Sequence, residues 1–95
     1  MRHTWDKAKN AANVRKHGIA FERAVRIFDG PTVEQIDDRY EYGEIRNKAI
    51  GLIEGIEILV VYTDEKTDER RIVSARKAIR EERAEFWRRI GSPDG

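Results

Sequence analysis

The sequence predicts an α+β domain with the element order β-α-α-β-β-β-β-α, an antiparallel sheet covered by helices. Three observations carry that expectation. Apolar residues recur at helical spacing near both ends of the chain, strand-like apolar stretches follow one another in the middle, and only short polar turns separate those stretches. Consecutive strands joined by short turns pair antiparallel, and helices from the two ends then cover one side of the sheet. A length of 95 residues is one domain's worth of chain, taken here as residues 1–90 with a flexible tail over 91–95.

Each element has its own signal. His3-Thr4-Trp5 reads as a short extended start, and Asp6 as the N-cap of a helix, its carboxylate accepting backbone N–H bonds. Ala8, Ala11, Ala12, Val14 and Arg15 suit that helix, and Gly18 ends it. Ile19, Phe21, Ala24, Val25 and Phe28 are spaced for a second amphipathic helix, closed by Asp29-Gly30-Pro31. Thr32–Ile36 is a short candidate strand. Glu44 to Ile53, Ile56 to Thr63 and Arg70 to Ala75 are three longer ones. The middle stretch carries apolar residues on both faces, which predicts the central strand. Glu54-Gly55 is a tight hairpin turn, and Asp64 to Glu69 a polar hairpin loop. The last segment, Arg76 to Ile90, puts Ile79, Arg83, Phe86, Trp87 and Ile90 on one helical stripe. Trp5, Phe21, Phe28, Phe86 and Trp87 are assigned to the core, since large aromatics dominate burial in small domains. The sheet face opposite the helices is where function is expected.

Composition narrows the function classes. With no cysteine, disulfides, thiolate metal sites and cysteine nucleophiles are excluded. Two histidines fourteen positions apart make no zinc site, and neither a phosphate-binding glycine loop nor a serine triad is present, so no cofactor is expected. The longest apolar run, Ile56 to Tyr62 with Glu57 inside it, falls far short of the roughly 20 residues that span a bilayer. Arg2, His3 and Trp5 near the start exclude an apolar signal core, and a cytoplasmic protein with no membrane partner is the expectation. The 19 basic and 18 acidic side chains are not evenly spread. Residues 1–26 carry seven basic and two acidic groups, 27–69 four and twelve, and 70–95 eight and four. Two basic ends that meet in space would build a cationic face hidden by the net charge of +1.

Four stretches make the chain resemble a known family. They are Trp5-Asp6-x-x-Lys9 running on to Asn13-x-x-Lys16-His17-Gly18-Ile19-x-Phe21; Phe28-Asp29-Gly30-Pro31; Gly43-Glu44-x-Arg46 with Ile50-Gly51; and Arg71-Ile72-Val73-Ser74-Ala75-Arg76-x-Ala78 followed by Glu82-Arg83. In order and spacing this resembles the BrnT-type toxins of bacterial type II toxin–antitoxin modules. The resemblance implies a RelE-like ribonuclease fold and a BrnA-type antitoxin of ribbon-helix-helix class. It also implies operator DNA as a partner only through the antitoxin complex. The chain departs from the pattern in carrying Ile79 where a Thr or Ser would cap the last helix, so the cap is expected from another residue such as Ser74. It also carries Phe86 in place of a Tyr, and the loop after Thr63 lacks an Arg, with Lys66 as its substitute.

The implied chemistry is metal-independent RNA cleavage that inhibits translation and growth. Internal transfer needs a base for the 2′-OH proton, cations for the phosphorane-like transition state and an acid for the leaving 5′ oxygen. Arg76, between the last strand and helix, is the first candidate, because a guanidinium grips phosphate oxygens in pairs. Its bland counterpart is an ion pair to Glu81 or Glu82. Arg46 and Lys48 alternate on one face of a strand and form a second cationic pair, or simply a solvated face. His17 is the only histidine inside a motif, and imidazole, with its ordinary pKa near about 6.5, suits proton transfer. At a helix C-terminus it equally serves to stabilise exposed carbonyls. Glu57 on the central strand is a candidate base if burial raises its pKa, with Tyr62 as a further proton donor. Arg71, Lys77 and Arg80 are the expected RNA contacts. The rival reading is a catalytically idle binding module or co-repressor that uses the same basic face to hold an antitoxin or nucleic acid.

Overall fold

The computed structural model describes residues 1–37 and 45–91, apart from the side chain of Glu65. The expected strand start at Glu44, the Gly43-Glu44 part of the third motif and the tail from Ser92 lie outside the described residues. The elements are β1 (Arg2–Thr4), α1 (Lys7–His17), α2 (Phe21–Ala24) running directly into a 3-10 helix (Val25–Asp29), β2 (Val33–Asp37), β3 (Arg46–Ile53), β4 (Ile56–Lys66), β5 (Glu69–Lys77) and α3 (Arg80–Ile90). The predicted order holds. Arg76 and Lys77 belong to the last strand and not to the helix.

Local signals set the element ends. Asp6 accepts the Lys9 N–H at 3.0 Å and caps α1, and Gly18, at a left-handed φ of 73°, donates its N–H to Val14 at 2.8 Å. Across that corner Asn10 accepts the Phe21 N–H at 2.9 Å, which starts α2. Glu54 and Gly55 both have positive φ, 51° and 79°, as a type I′ hairpin turn requires. The expected loop from Asp64 to Glu69 is shorter in the structure. The β4–β5 ladder runs on past two irregularities to a Lys66–Glu69 pair, so only Thr67-Asp68 makes the turn. Asp64 and Arg70 lie on these facing strands and are joined by two hydrogen bonds of 2.8 and 3.0 Å.

The five strands form one sheet in the order β1-β5-β4-β3-β2, with β4 central as its two-sided apolar pattern predicts. Three pairings are antiparallel. The fourth departs from expectation, because β1 lies parallel to β5 as an edge strand of three residues.

The expectation of helices on one side only is also corrected. One face of the sheet packs Ala49, Ile58, Val60, Tyr62, Ile72 and Ala75 against Phe21, Ala24 and Ile27 of α2 and the 3-10 helix. The other packs Val33, Ile50, Leu59 and Val61 against Phe86 and Trp87 of α3. Leu59 and Val61 point away from the first core and need their own cover, which α3 provides. It does so with a narrow contact, since Ile79 and Ile90 of the predicted stripe are 52% and 39% exposed. The part of that face bearing Arg46, Val73 and Ser74 is left open.

Candidate cationic cleft

Alternation along β3, β4 and β5 sends Arg46, Lys48, Leu59, Val61, Arg71, Ser74 and Arg76 to the face that α3 partly covers, by their pairing with one another. A bulge shapes its floor. Val61 pairs with Ser74 and Tyr62 with Ile72, so Val73 is an extra residue in β5, and both Val73 and Ser74 face the same cleft.

The remaining wall is α1. β1 pairs only with residues 69–71 of β5, and beyond it α1 takes over the strand's edge. Asn13 is the fastening. Its amide donates to the carbonyls of Ala75 (2.9 Å) and Ile19 (2.8 Å), and its Oδ1 accepts the Ala75 N–H at 3.1 Å. With Asn13 turned to the sheet, residues at helical spacing from it share its side. The outcome is an open cleft of about 650 Å³ lined by Lys9, Ala12, Asn13, Lys16 and His17 of α1, Arg46 of β3, and Val73 and Ser74 of β5. The basic N-terminal segment thus meets the sheet at β5, and Arg46 faces it across the cleft.

The predicted site residues separate into groups. His17 and Arg46 line the cleft together. Lys48 is on the same face one pleat nearer α3, beside Gln35, Glu81 and Glu82. Arg71 is on that face opposite Thr63. Arg76 makes two hydrogen bonds of 2.8 and 2.9 Å to the carboxylate of Glu82, the ion pair weighed above beside its catalytic role. Glu82 also accepts the Ile79 N–H at 2.8 Å, so the helix cap comes from Glu82 itself and not from Ser74. Burial opposes the charged form of Glu82, but these bonds outweigh it and hold its carboxyl below the usual range.

Other candidates move away from the cleft. Glu57 is not a base of raised pKa: Trp87 Nε1 donates to it at 2.8 Å and holds its carboxyl below the usual range. Lys77 pairs with Ile58 and shares its side of the sheet, away from the cleft, and Arg80 is exposed in the first turn of α3. Tyr62 also points to the other face, where its hydroxyl donates to Glu34 and burial pushes its pKa up. There it joins a second cluster. Arg70 lies 4.1 Å over the Tyr62 ring and 4.7 Å over that of Phe28, and His3 stacks on Phe28 at 5.4 Å. Sequence reasoning did not single out Lys9, Asn13, Lys16 or Ser74 as site residues. Their signal was present, since all four belong to the quoted motifs.

The family model described as "Ribonuclease toxin, BrnT, of type II toxin-antitoxin system" matches residues 5–82. The chain belongs to this BrnT family. The matched span holds every residue that lines the cleft. A crystal structure of the Brucella abortus ribonuclease toxin BrnT is similar at a TM-score of 0.64 and 26% identity, over 84% of this chain and 99% of that one. No curated protein matches the chain. Membership in a type II toxin–antitoxin family implies an antitoxin as partner. No helix among the described residues is long and apolar enough to cross a membrane.

Proposed function

We propose that the chain is a metal-independent endoribonuclease that cuts RNA in the cleft between α1 and β3, inhibiting translation and growth in the cytoplasm. A ribbon-helix-helix antitoxin of BrnA type silences it by covering the cleft, and operator DNA is reached only through that complex. The observation that carries the reading is the convergence of Lys9, Lys16, His17 and Arg46 on one open cleft in a family of ribonuclease toxins. Lys9, Lys16 and Arg46 offer charge to the phosphate oxygens, and Lys48 and Arg71 extend the positive track along the sheet face. His17 takes the 2′-OH proton. The 2′ oxygen bonds to phosphorus, the bond to the 5′ oxygen breaks, and that oxygen takes up a proton. The products are a 2′,3′-cyclic phosphate end and a 5′-hydroxyl end. Arg76 shares the sheet face of this cleft and is hydrogen-bonded to Glu82 of α3.

The test is end-labelled RNA incubated with the purified chain in EDTA. Cleavage that leaves cyclic phosphate ends, and that His17→Ala slows at least about tenfold, fits the proposal. Cleavage only after Mg²⁺ is added overturns metal independence. RNA intact under both conditions overturns the nuclease reading in favour of a binding module.

A further inference from the structure

A second concave surface lies at the base of the sheet, on the face that carries Tyr62. Its walls are four isoleucines. Ile53 and Ile58 are 5% and 4% exposed and form the floor with Ile19 at 9%, while Ile56 at the start of β4 is 43% exposed on the rim. The space they line is about 170 Å³, room enough to admit one aliphatic side chain. Its polar rim is cationic. Lys77 stands over Ile58 as its cross-strand neighbour and makes no ion pair among the described residues, while Arg23 is held 3.0 Å from Glu54. Gly18 forms the edge nearest α1, and the next residues back along the chain, His17 and Lys16, already line the cationic cleft. Consecutive residues at the C-terminal end of α1 thus line both concavities, one on each face of the sheet.

We infer that this isoleucine groove anchors the antitoxin, by taking an aliphatic side chain of an acidic segment that continues past Lys16 and His17 into the cleft. The inference rests on the cleft being the site to be silenced and names where its inhibitor holds on. Charge complementarity selects the occupant. A segment that covers Lys9, Lys16 and Arg46 must be acidic, and on leaving the cleft at Gly18 it meets Lys77, a cation that no described carboxylate pairs. An apolar anchor in a desolvated pocket then supplies the affinity that exposed charges alone do not. RNA fits this groove poorly, since no aromatic ring among the described residues lines it for a base to stack on.

The test uses the toxin and the antitoxin co-expressed from its own operon, separated and recombined in a calorimeter. Ile56→Ser removes the rim of the groove, and Lys77→Glu reverses its charge. Each is expected to weaken antitoxin binding at least about tenfold, and Lys77→Glu also to flatten the salt dependence of binding. Free Ile56→Ser toxin is expected to cut RNA at the wild-type rate. Wild-type antitoxin affinity in both variants overturns the inference, as does an Ile56→Ser toxin that changes oligomeric state, which would make the groove a contact between copies. Circular dichroism of both variants separates lost binding from lost folding. If the free wild-type chain leaves RNA intact, the nuclease reading fails, while the affinities still decide the groove.

Discussion

Asn13 joins two parts of the molecule that are 62 residues apart, and removing its amide should cost more than any other single polar change in α1. The side chain is buried and makes three hydrogen bonds, to Ile19 O, Ala75 O and Ala75 N–H. Asn13→Ala leaves those three backbone groups without partners. An unsatisfied buried group costs about 1–3 kcal/mol, and the carbonyls recover part of that from water at the edge of the cleft, so a loss of about 3 kcal/mol is expected. A domain of this size has only about 5–10 kcal/mol in total. With a urea slope near ~1 kcal/mol per molar, the unfolding midpoint should fall by roughly 3 M. Asn13→Asp is the sharper probe. It keeps the acceptor for Ala75 N–H but sets a carboxylate against two carbonyl oxygens, so it should destabilise at least as much as Ala at neutral pH. A loss below about 1 kcal/mol for Ala, or an Asp variant as stable as wild type, would refute the reasoning.

Two further predictions concern the other side of the sheet. A Cβ on Gly51 would sit 2.7 Å from Ile27 Cβ and 3.1 Å from Thr32 Cγ2, so Gly51→Ala should cost about 1–3 kcal/mol in thermal unfolding, and an unchanged melting curve would contradict the close packing of β3 on the 3-10 helix. Burial, with help from Arg70, lowers the pKa of His3, whose Nε2 is buried with no hydrogen-bond partner among the described residues, so the fold favours its neutral form. Its unfolded counterpart takes a proton near pH ~6.5, so stability is fully present above that value and falls as pH drops toward the lower folded pKa. His3→Phe keeps the stack on Phe28 and should remove that part of the acid sensitivity; denaturation midpoints that fall between pH 7 and 5 as steeply as in wild type would contradict it.

Much of this fold is legible in the sequence, and the departures have physical causes. Asp6, Gly18 and Glu54-Gly55 act through neighbours in the chain, so local chemistry is enough to place the ends of α1 and the β3–β4 turn. The apolar residues on both faces of Ile56–Thr63 mark the central strand, but nothing local to α3 says which face it takes, and Phe86 and Trp87 put it on the one expected to be open. β1 has only three residues and carries no pattern that fixes its parallel partner. The polar run after Thr63 resembles a loop, yet Lys66–Glu69 and Asp64–Arg70 make its charges cross-strand pairs.

The site divides along the same line. His17 and Arg46 stand out by residue type and motif, and both reach the cleft. Lys9 and Lys16 look like ordinary solvated helix cations until α1 is seen against β5. Glu57 is decided by a partner elsewhere in the fold, while the ion pair of Arg76 is with a residue six positions on. Trp87, thirty residues on, holds Glu57 as a carboxylate, and Glu82 engages Arg76. Residue types suggest the chemistry, and the fold decides which of these groups meet in one cleft.

The most direct test of the cleft is single-turnover RNA cleavage by Arg46→Ala and Lys16→Ala beside Arg80→Ala, a cation of the same chain outside the cleft. Loss of one donor to a transition-state oxyanion commonly costs about 10²–10³ in rate. The cleft predicts a loss of about that size for Arg46→Ala, at least about tenfold for Lys16→Ala, and wild-type rates for Arg80→Ala. Equal losses for all three, or wild-type cleavage by Arg46→Ala and Lys16→Ala, would place the chemistry elsewhere on the molecule.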